Sequence, residues 1–124
     1  MRKLIIIITL LFSSLSYAEW KFVSESEIGD TNYIDLSRIR KNAGYIYYWY
    51  LSDYLKPNEF GNFSTKVYVQ GDCKIFRLKY LTFIFYKEPM GKGEFTTFNE
   101  PDTEWTYPNP NSPSEESLKT ACNS

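Results

Sequence analysis

The sequence predicts an α+β domain: an antiparallel β-sheet of five or six strands with one C-terminal α-helix tethered to the sheet by a disulfide. Three observations lead there. Aromatic and β-branched runs between residues 20 and 98 are broken by Gly, Pro, Asn and Asp, without an alternation of helical and extended patterns. Ser112-Pro113-Ser114-Glu115 sets a serine ahead of a proline at the first helical position, with a glutamate three residues after the serine. That is a capping box, and it marks a helix start. The chain has two cysteines, Cys73 and Cys122, 49 positions apart.

At the N-terminus, Arg2 and Lys3 precede an apolar run from Leu4 to Phe12 broken by Thr9, and Ser16-Tyr17-Ala18 puts small residues where a signal peptidase reads. This three-part pattern predicts a cleaved export signal over residues 1–18 and one domain over residues 19–124. The apolar run is shorter than the roughly 20 residues that cross a bilayer. A lipid anchor would need a cysteine just after the cut, where Glu19 stands. The mature chain is therefore expected in the periplasm or outside the cell, with no acyl anchor and no integral membrane segment. Without Arg2 and Lys3 the 14 basic residues become 12 against 15 acidic ones, a net charge of −3 with no dense basic run. Nucleic acid and anionic lipid are thereby disfavoured as partners.

The mature chain opens with a short strand, Trp20 to Val23, and Gly29-Asp30 turns it into a second, Asn32 to Asp35. Leu36 to Lys41 reads as a brief helical turn or irregular link ending at Asn42-Ala43-Gly44. Tyr45 to Tyr54 gives the strongest strand signal, with Tyr45, Tyr47, Trp49 and Leu51 on one face and Ile46, Tyr48, Tyr50 and Tyr54 on the other. Aromatic residues on both faces predict a central position. A loop from Lys56 to Asn62 leads to a strand from Ser64 to Val69, and Gly71-Asp72 suggests a bulge or bend before Cys73. Ile75 to Tyr86 is extended, and Pro89-Met90-Gly91-Lys92-Gly93 forms a hairpin tip returning through Glu94 to Phe98. Asn99 to Asn111 is a Pro- and Asn-rich connector to a helix over Pro113 to Cys122, whose Leu118, Ala121 and Cys122 share one face.

A helix of ten residues is marginal alone and must borrow stability from packing. In an oxidising compartment a cysteine pair with neither CxxC spacing nor any histidine points to a disulfide, the alternatives being two free thiols or a bridge between chains. Closing so long a loop contributes about 4 kcal/mol in the chain-entropy account. Such a bridge would pin the helix across one face of the sheet at the strand carrying Cys73.

The absence of histidine removes the commonest general base and the commonest metal ligand, so no metal or other cofactor and no enzymatic activity are expected. Carboxylate-only chemistry would fall to Asp35, Asp53 and Asp72, whose spacing fits no catalytic motif; the plainer reading places them at a turn, a strand end and a bulge. Gly91-Lys92-Gly93 lacks the context of a phosphate loop and is a turn. Dropping Tyr17 and Phe12 leaves 10 Tyr, 8 Phe and 3 Trp in 106 residues. Most of these rings fill a core, yet Tyr and Trp also suit a recognition surface. The candidate surface combines Tyr48, Tyr50 and Tyr54 with the basic pair Arg77 and Lys79, which alternation sets on the strand face of Ile75 and Leu81.

The whole mature chain resembles the surface-adhesin protein E family of small exported Gram-negative proteins. The resemblance rests on Trp20-Lys21-Phe22-Val23; Tyr33-Ile34-Asp35 with Ser37, Ile39 and Lys41; Trp49, Asp53 and Tyr54; Ser64 and Lys66; Asp72-Cys73 with Arg77; Met90-Gly91-Lys92-Gly93; Trp105; and Leu118-Lys119-Thr120-Ala121-Cys122. It implies a sheet with a disulfide-held C-terminal helix. For the family's namesake it implies attachment to host matrix and serum proteins such as laminin, vitronectin and plasminogen. The namesake is a surface lipoprotein, which the residue at position 19 does not match. Adhesin-like binding of a host matrix or serum protein is the expectation, with a periplasmic accessory or structural protein bound to another envelope protein as the alternative. Free sheet edges would also allow a homodimer.

Overall fold

A computed structural model describes residues 19–124; the export signal expected over residues 1–18 lies outside the described residues. Seven strands form one antiparallel sheet: β1 Trp20–Glu25, β2 Thr31–Asp35, β3 Arg40–Asn42, β4 Tyr45–Asp53, β5 Ser64–Asp72, β6 Arg77–Glu88 and β7 Lys92–Phe98. Their order across the sheet is β1-β2-β4-β5-β6-β7, and β3 pairs with the first half of β4 beside β2. The helix α1, Pro113–Cys122, follows the connector. The expected fold class is the one observed, with one short strand more than foreseen: after a 3-10 turn at Leu36–Arg38 the chain pairs again, as β3.

Register decides which side chains meet. Tyr50 stands opposite Ile34 on β2 and Val67 on β5, Tyr48 opposite Val69, and Ile46 opposite Gly71. Since directly paired residues share a face, Ile34, Ile46, Tyr48, Val67 and Val69 form one apolar layer, and with Leu78 from β6 they meet Leu118 and Ala121 of α1. Seven of these eight residues are at most 2 % exposed. Gly71 is the contact point. A Cβ there would lie 2.7 Å from Leu118 Cδ1 and 2.9 Å from Ile46 Cγ2, so only glycine lets the helix approach this closely.

The start of α1 follows its sequence signature. Ser112 Oγ accepts from the Glu115 amide at 3.2 Å and Pro113 sits in the first turn. Glu115 Oε1 accepts from the Asn111 amide at 3.0 Å, which places the reciprocal bond one residue before the serine. At the other end, Cys122 is bonded to Cys73, with Cα atoms 5.7 Å apart.

Three local expectations change. Strand β5 runs through Gly71 and Asp72 without bending, so Cys73 begins the β5–β6 turn and does not sit within a strand. Ile75 belongs to that turn, and Phe76 takes a left-handed φ of 63°, which delays β6 until Arg77. The bulge lies farther on, where the register between Tyr68/Thr82 and Val69/Tyr80 skips Leu81. The connector is also more ordered than its composition suggests: Leu78 and Thr106 exchange backbone bonds of 2.9 and 2.8 Å, covering the part of the β6 edge that β7 leaves free.

Candidate functional site

The face of the sheet opposite α1 is formed by the odd-numbered residues of β4 and the even-numbered residues of β5. Tyr47 pairs with Gln70, Trp49 with Tyr68, and Leu51 with Lys66. The rings lie against one another in a row: Tyr68 is 4.9 Å from Trp49 and 6.1 Å from Tyr47 between centroids, and Gln70 Nε2 donates to Tyr47 Oη at 3.2 Å. All three rings are half-buried, held by strand neighbours from the side and open from above. Such rings are rigid and cost little entropy when a partner covers them.

Cations stand at both ends of the row. At one end, Lys66 Nζ lies 5.7 Å from the Trp49 ring and 5.3 Å from the Tyr86 ring. At the other, the Arg77 guanidinium and Lys79 Nζ lie 4.3 and 4.8 Å from the Trp105 ring, which packs at 5.4 Å on Tyr45. Contact with an aromatic face holds each cation in place; the two lysines make no ion pair among the described residues, whereas Arg77 is paired with Asp72.

The 3-10 turn at Pro89–Gly91 folds over the Lys66 end. Asp53 Oδ1 accepts from the Met90 amide at 2.7 Å, and Ser64 Oγ accepts from the Gly91 amide at 2.9 Å. Gly91 has a φ of 68° and seals Leu51 from water, so this segment is a lid on one end of the face and not only a hairpin tip. Between it and β1–β2 lies a cleft of about 200 Å³ lined by Trp20, Arg38, Trp49, Lys66 and Lys92, with Asp35 at its base.

The three carboxylates weighed for catalysis each hold a turn. Asp35 is buried and accepts from the Glu19 and Ser37 amides at 3.2 and 3.0 Å and from Ser37 Oγ at 2.6 Å. Asp53 holds the Met90 lid. Asp72 accepts from the Lys74 and Ile75 amides at 3.1 and 3.2 Å and from Arg77 Nε at 2.9 Å. Burial by itself would raise the Asp72 carboxyl, but the Arg77 hydrogen bond, the two amides and the Arg77 charge outweigh it and hold the group below the ordinary carboxylate range.

The five residues expected to form one surface separate onto different sides. Arg77 and Lys79 lie on the face opposite α1. Tyr48 is corrected outright: it is 0 % exposed beneath α1, because its partner Val69 belongs to the core layer. Tyr50 packs against that core and donates from Oη to Asn32 Oδ1 at 2.7 Å, its phenol pushed up to about 12 chiefly by burial. Tyr54 hydrogen-bonds Thr65 Oγ1 and borders an open cleft of about 760 Å³ between the loops carrying Ile28 and Leu55. That cleft is larger than the one at Trp49, but Asp30 in its wall is already bonded to the Leu55 amide, and among the described residues no ring stands over a cation there. The aromatic face is the better-built site. Its signal in the sequence was β5 itself, where Lys66, Tyr68 and Gln70 alternate with Val67, Val69 and Gly71.

A family model described as surface-adhesin protein E matches residues 20–123. Crystal structures of Haemophilus influenzae protein E share the fold. Crystal form II aligns with a TM-score of 0.59 at 17 % identity over 74 % of this chain and 80 % of that one. The selenomethionine form aligns at 0.61 and 15 % identity over 82 % and 85 %. The protein E structure from a non-typeable strain aligns at 0.54 and 15 % over 87 % and 76 %. No curated protein matches the chain in sequence.

Proposed function

The chain belongs to the surface-adhesin protein E family, and on that premise we propose that it is an exported, non-enzymatic binding protein that attaches to host matrix or serum proteins through the sheet face opposite α1. The observation that carries the reading is the ordered row Tyr47, Tyr68 and Trp49 with Lys66 at one end and the Trp105 cluster at the other. Aromatic side chains and arginine are the residue types that dominate binding energy at protein interfaces, and here they are pre-positioned on rigid strands. Export is part of the proposal: residues 1–18 supply the signal, and no helix among the described residues is long and apolar enough to cross a membrane.

The test is solid-phase binding to laminin, vitronectin and plasminogen. Joint substitution of Trp49→Ala and Tyr68→Ala is expected to weaken capture by roughly a hundredfold, two interface anchors at about 1.4 kcal/mol each. Lys119→Ala, on α1, is expected to leave capture unchanged. Equal loss in both variants would move the site off this face. Confinement of the processed protein to the periplasm in cell fractionation would replace host attachment with the alternative, binding of another envelope component.

A further inference from the structure

Building on the reading that partners bind the face opposite α1, we propose that this face recognises a sulfated polysaccharide laid along β5 from Lys66 to Lys79. Residues 19–124 carry a net charge of −3, yet Arg40, Lys66, Lys79 and Lys92 gather on this face. Arg40, Lys66, Lys79 and Lys92 take part in none of the ion pairs among the described residues. Of the strand carboxylates on the same side, Asp35, Asp53 and Asp72 are turned onto backbone amides and, for Asp35 and Asp72, onto Arg38 and Arg77; Glu25 lies out on β1 and Glu88 opposite Lys92, neither within ion-pair distance of these cations. Cations without counter-ions, held in place on ring faces, are complementary to a polyanion.

Spacing and shape narrow the class. Lys66 and Gln70 are four residues apart on β5, and Lys79 stands opposite Gln70. At about 3.3 Å per residue the two lysines are about 13 Å apart along the strand. The Trp49, Tyr68 and Tyr47 rings fill the interval. A single small anion would reach one lysine and leave the rings bare. An uncharged sugar would cover the rings and leave the lysines without partners. A sulfated chain serves both, resting C–H faces of its sugar rings on the aromatics while its sulfates reach the cations.

Backbone chemistry separates this occupant from an acidic peptide. The amides and carbonyls of β4 and β5 are paired with strands on both sides, so the face offers side chains only. An extended peptide draws its affinity from main-chain bonds to a sheet edge, and on this face its own amides would gain no partner. A polysaccharide has no such row of groups to satisfy.

The experiment measures binding of a heparin octasaccharide in solution at a series of salt concentrations. The purified protein is expected to bind, with affinity falling as salt rises. Lys66→Ala with Lys79→Ala should weaken binding at least about tenfold and flatten the salt dependence, since fewer counter-ions are released. Trp49→Ala should weaken it by about tenfold without changing the salt dependence, as loss of one stacking platform does. Lys119→Ala should bind like the parent. The proposal is overturned if the octasaccharide does not bind at about 50 mM salt, if its desulfated form, polyglutamate or a single-stranded oligonucleotide binds as tightly, or if the face variants bind like the parent. The two readings fail separately. If heparin is not bound but Trp49→Ala with Tyr68→Ala still abolishes capture on matrix proteins, the glycan is wrong and the binding face stands. If those variants leave both measurements unchanged, the face itself is wrong.

Discussion

Along β4 the even-numbered and odd-numbered rings meet opposite fates. Tyr48 is sealed beneath α1 among Ile34, Val69 and Leu118, whereas Tyr47 and Trp49, its immediate neighbours, stay half-open on the other side. The strand carries rings on both faces, so composition does not assign one to the core and one to a partner. The assignment comes from the rest of the molecule. One ten-residue helix has one apolar stripe, Leu118 with Ala121, and can close only one face. The side it closes is where β5 presents Val67, Val69 and Gly71; the side left open is where β5 presents Lys66, Tyr68 and Gln70. The open face is therefore free to be selected for binding, while the closed one is constrained by packing.

The largest effect should come from releasing the element that creates the difference. Cys122→Ser is expected to lower unfolding stability by about 4 kcal/mol, the chain-entropy value for a loop this long. Urea denaturation without reductant measures it. A midpoint equal to that of the parent would show that packing of Leu118 and Ala121 alone holds α1 in place, and that the bridge is not what separates the two faces.

How much of this was legible beforehand follows from which signals are local. The capping box at Ser112, the alternation of β4 and the isolated cysteine pair are local or chemical, and the helix, the central strand and the bridge were read from them. Assigning Tyr48 and Tyr50 to the surface failed because a face is named only by its register: Tyr48 becomes core through Val69, 21 residues away, and through Leu118, 70 residues away. The Trp105 end of the site was out of reach for the same reason, since it depends on the connector pairing at Leu78 and Thr106. The lid depends on Met90 taking a left-handed φ of 57°, which no residue-type preference announces. For Tyr48 and Trp105 the missing information was long-range pairing; for the lid it was one local backbone angle.

A smaller effect is expected at the turn beside the bridge. Asp72→Asn keeps the shape but weakens the charge-assisted bonds to Arg77, Lys74 and Ile75, and should cost about 2 kcal/mol at neutral pH. The sign with pH is fixed by direction. The fold holds the Asp72 carboxyl below its ordinary value, so its contribution is present above the unfolded carboxylate value and is lost as pH falls through the folded one. Denaturation curves at steps from pH 7 down to pH 3 should show the gap between parent and variant narrowing below about pH 4. A gap that stays constant would mean that the ionised form is not preferred by the fold.

The smallest effect has the opposite sign and lies at the centre of the closed face. Tyr48 Oη has no hydrogen-bond partner among the described residues. Ser117 of α1, whose Oγ donates to the Ser114 carbonyl at 3.0 Å, lies close to it. An unpaired buried hydroxyl is a net cost, so Tyr48→Phe should stabilise the protein, by about 1 kcal/mol. Thermal denaturation at neutral pH would detect this as a rise of a few degrees. A second readout comes at high pH. Burial pushes the Tyr48 phenol well above the unfolded tyrosine value of about 10, so stability is intact below pH 10 and falls as the unfolded chain ionises above it. Replacing this tyrosine should make that fall shallower. If Tyr48→Phe instead destabilises the protein, the hydroxyl is bonded to Ser117 in solution, and the closed face is held by a polar link between strand and helix as well as by apolar packing.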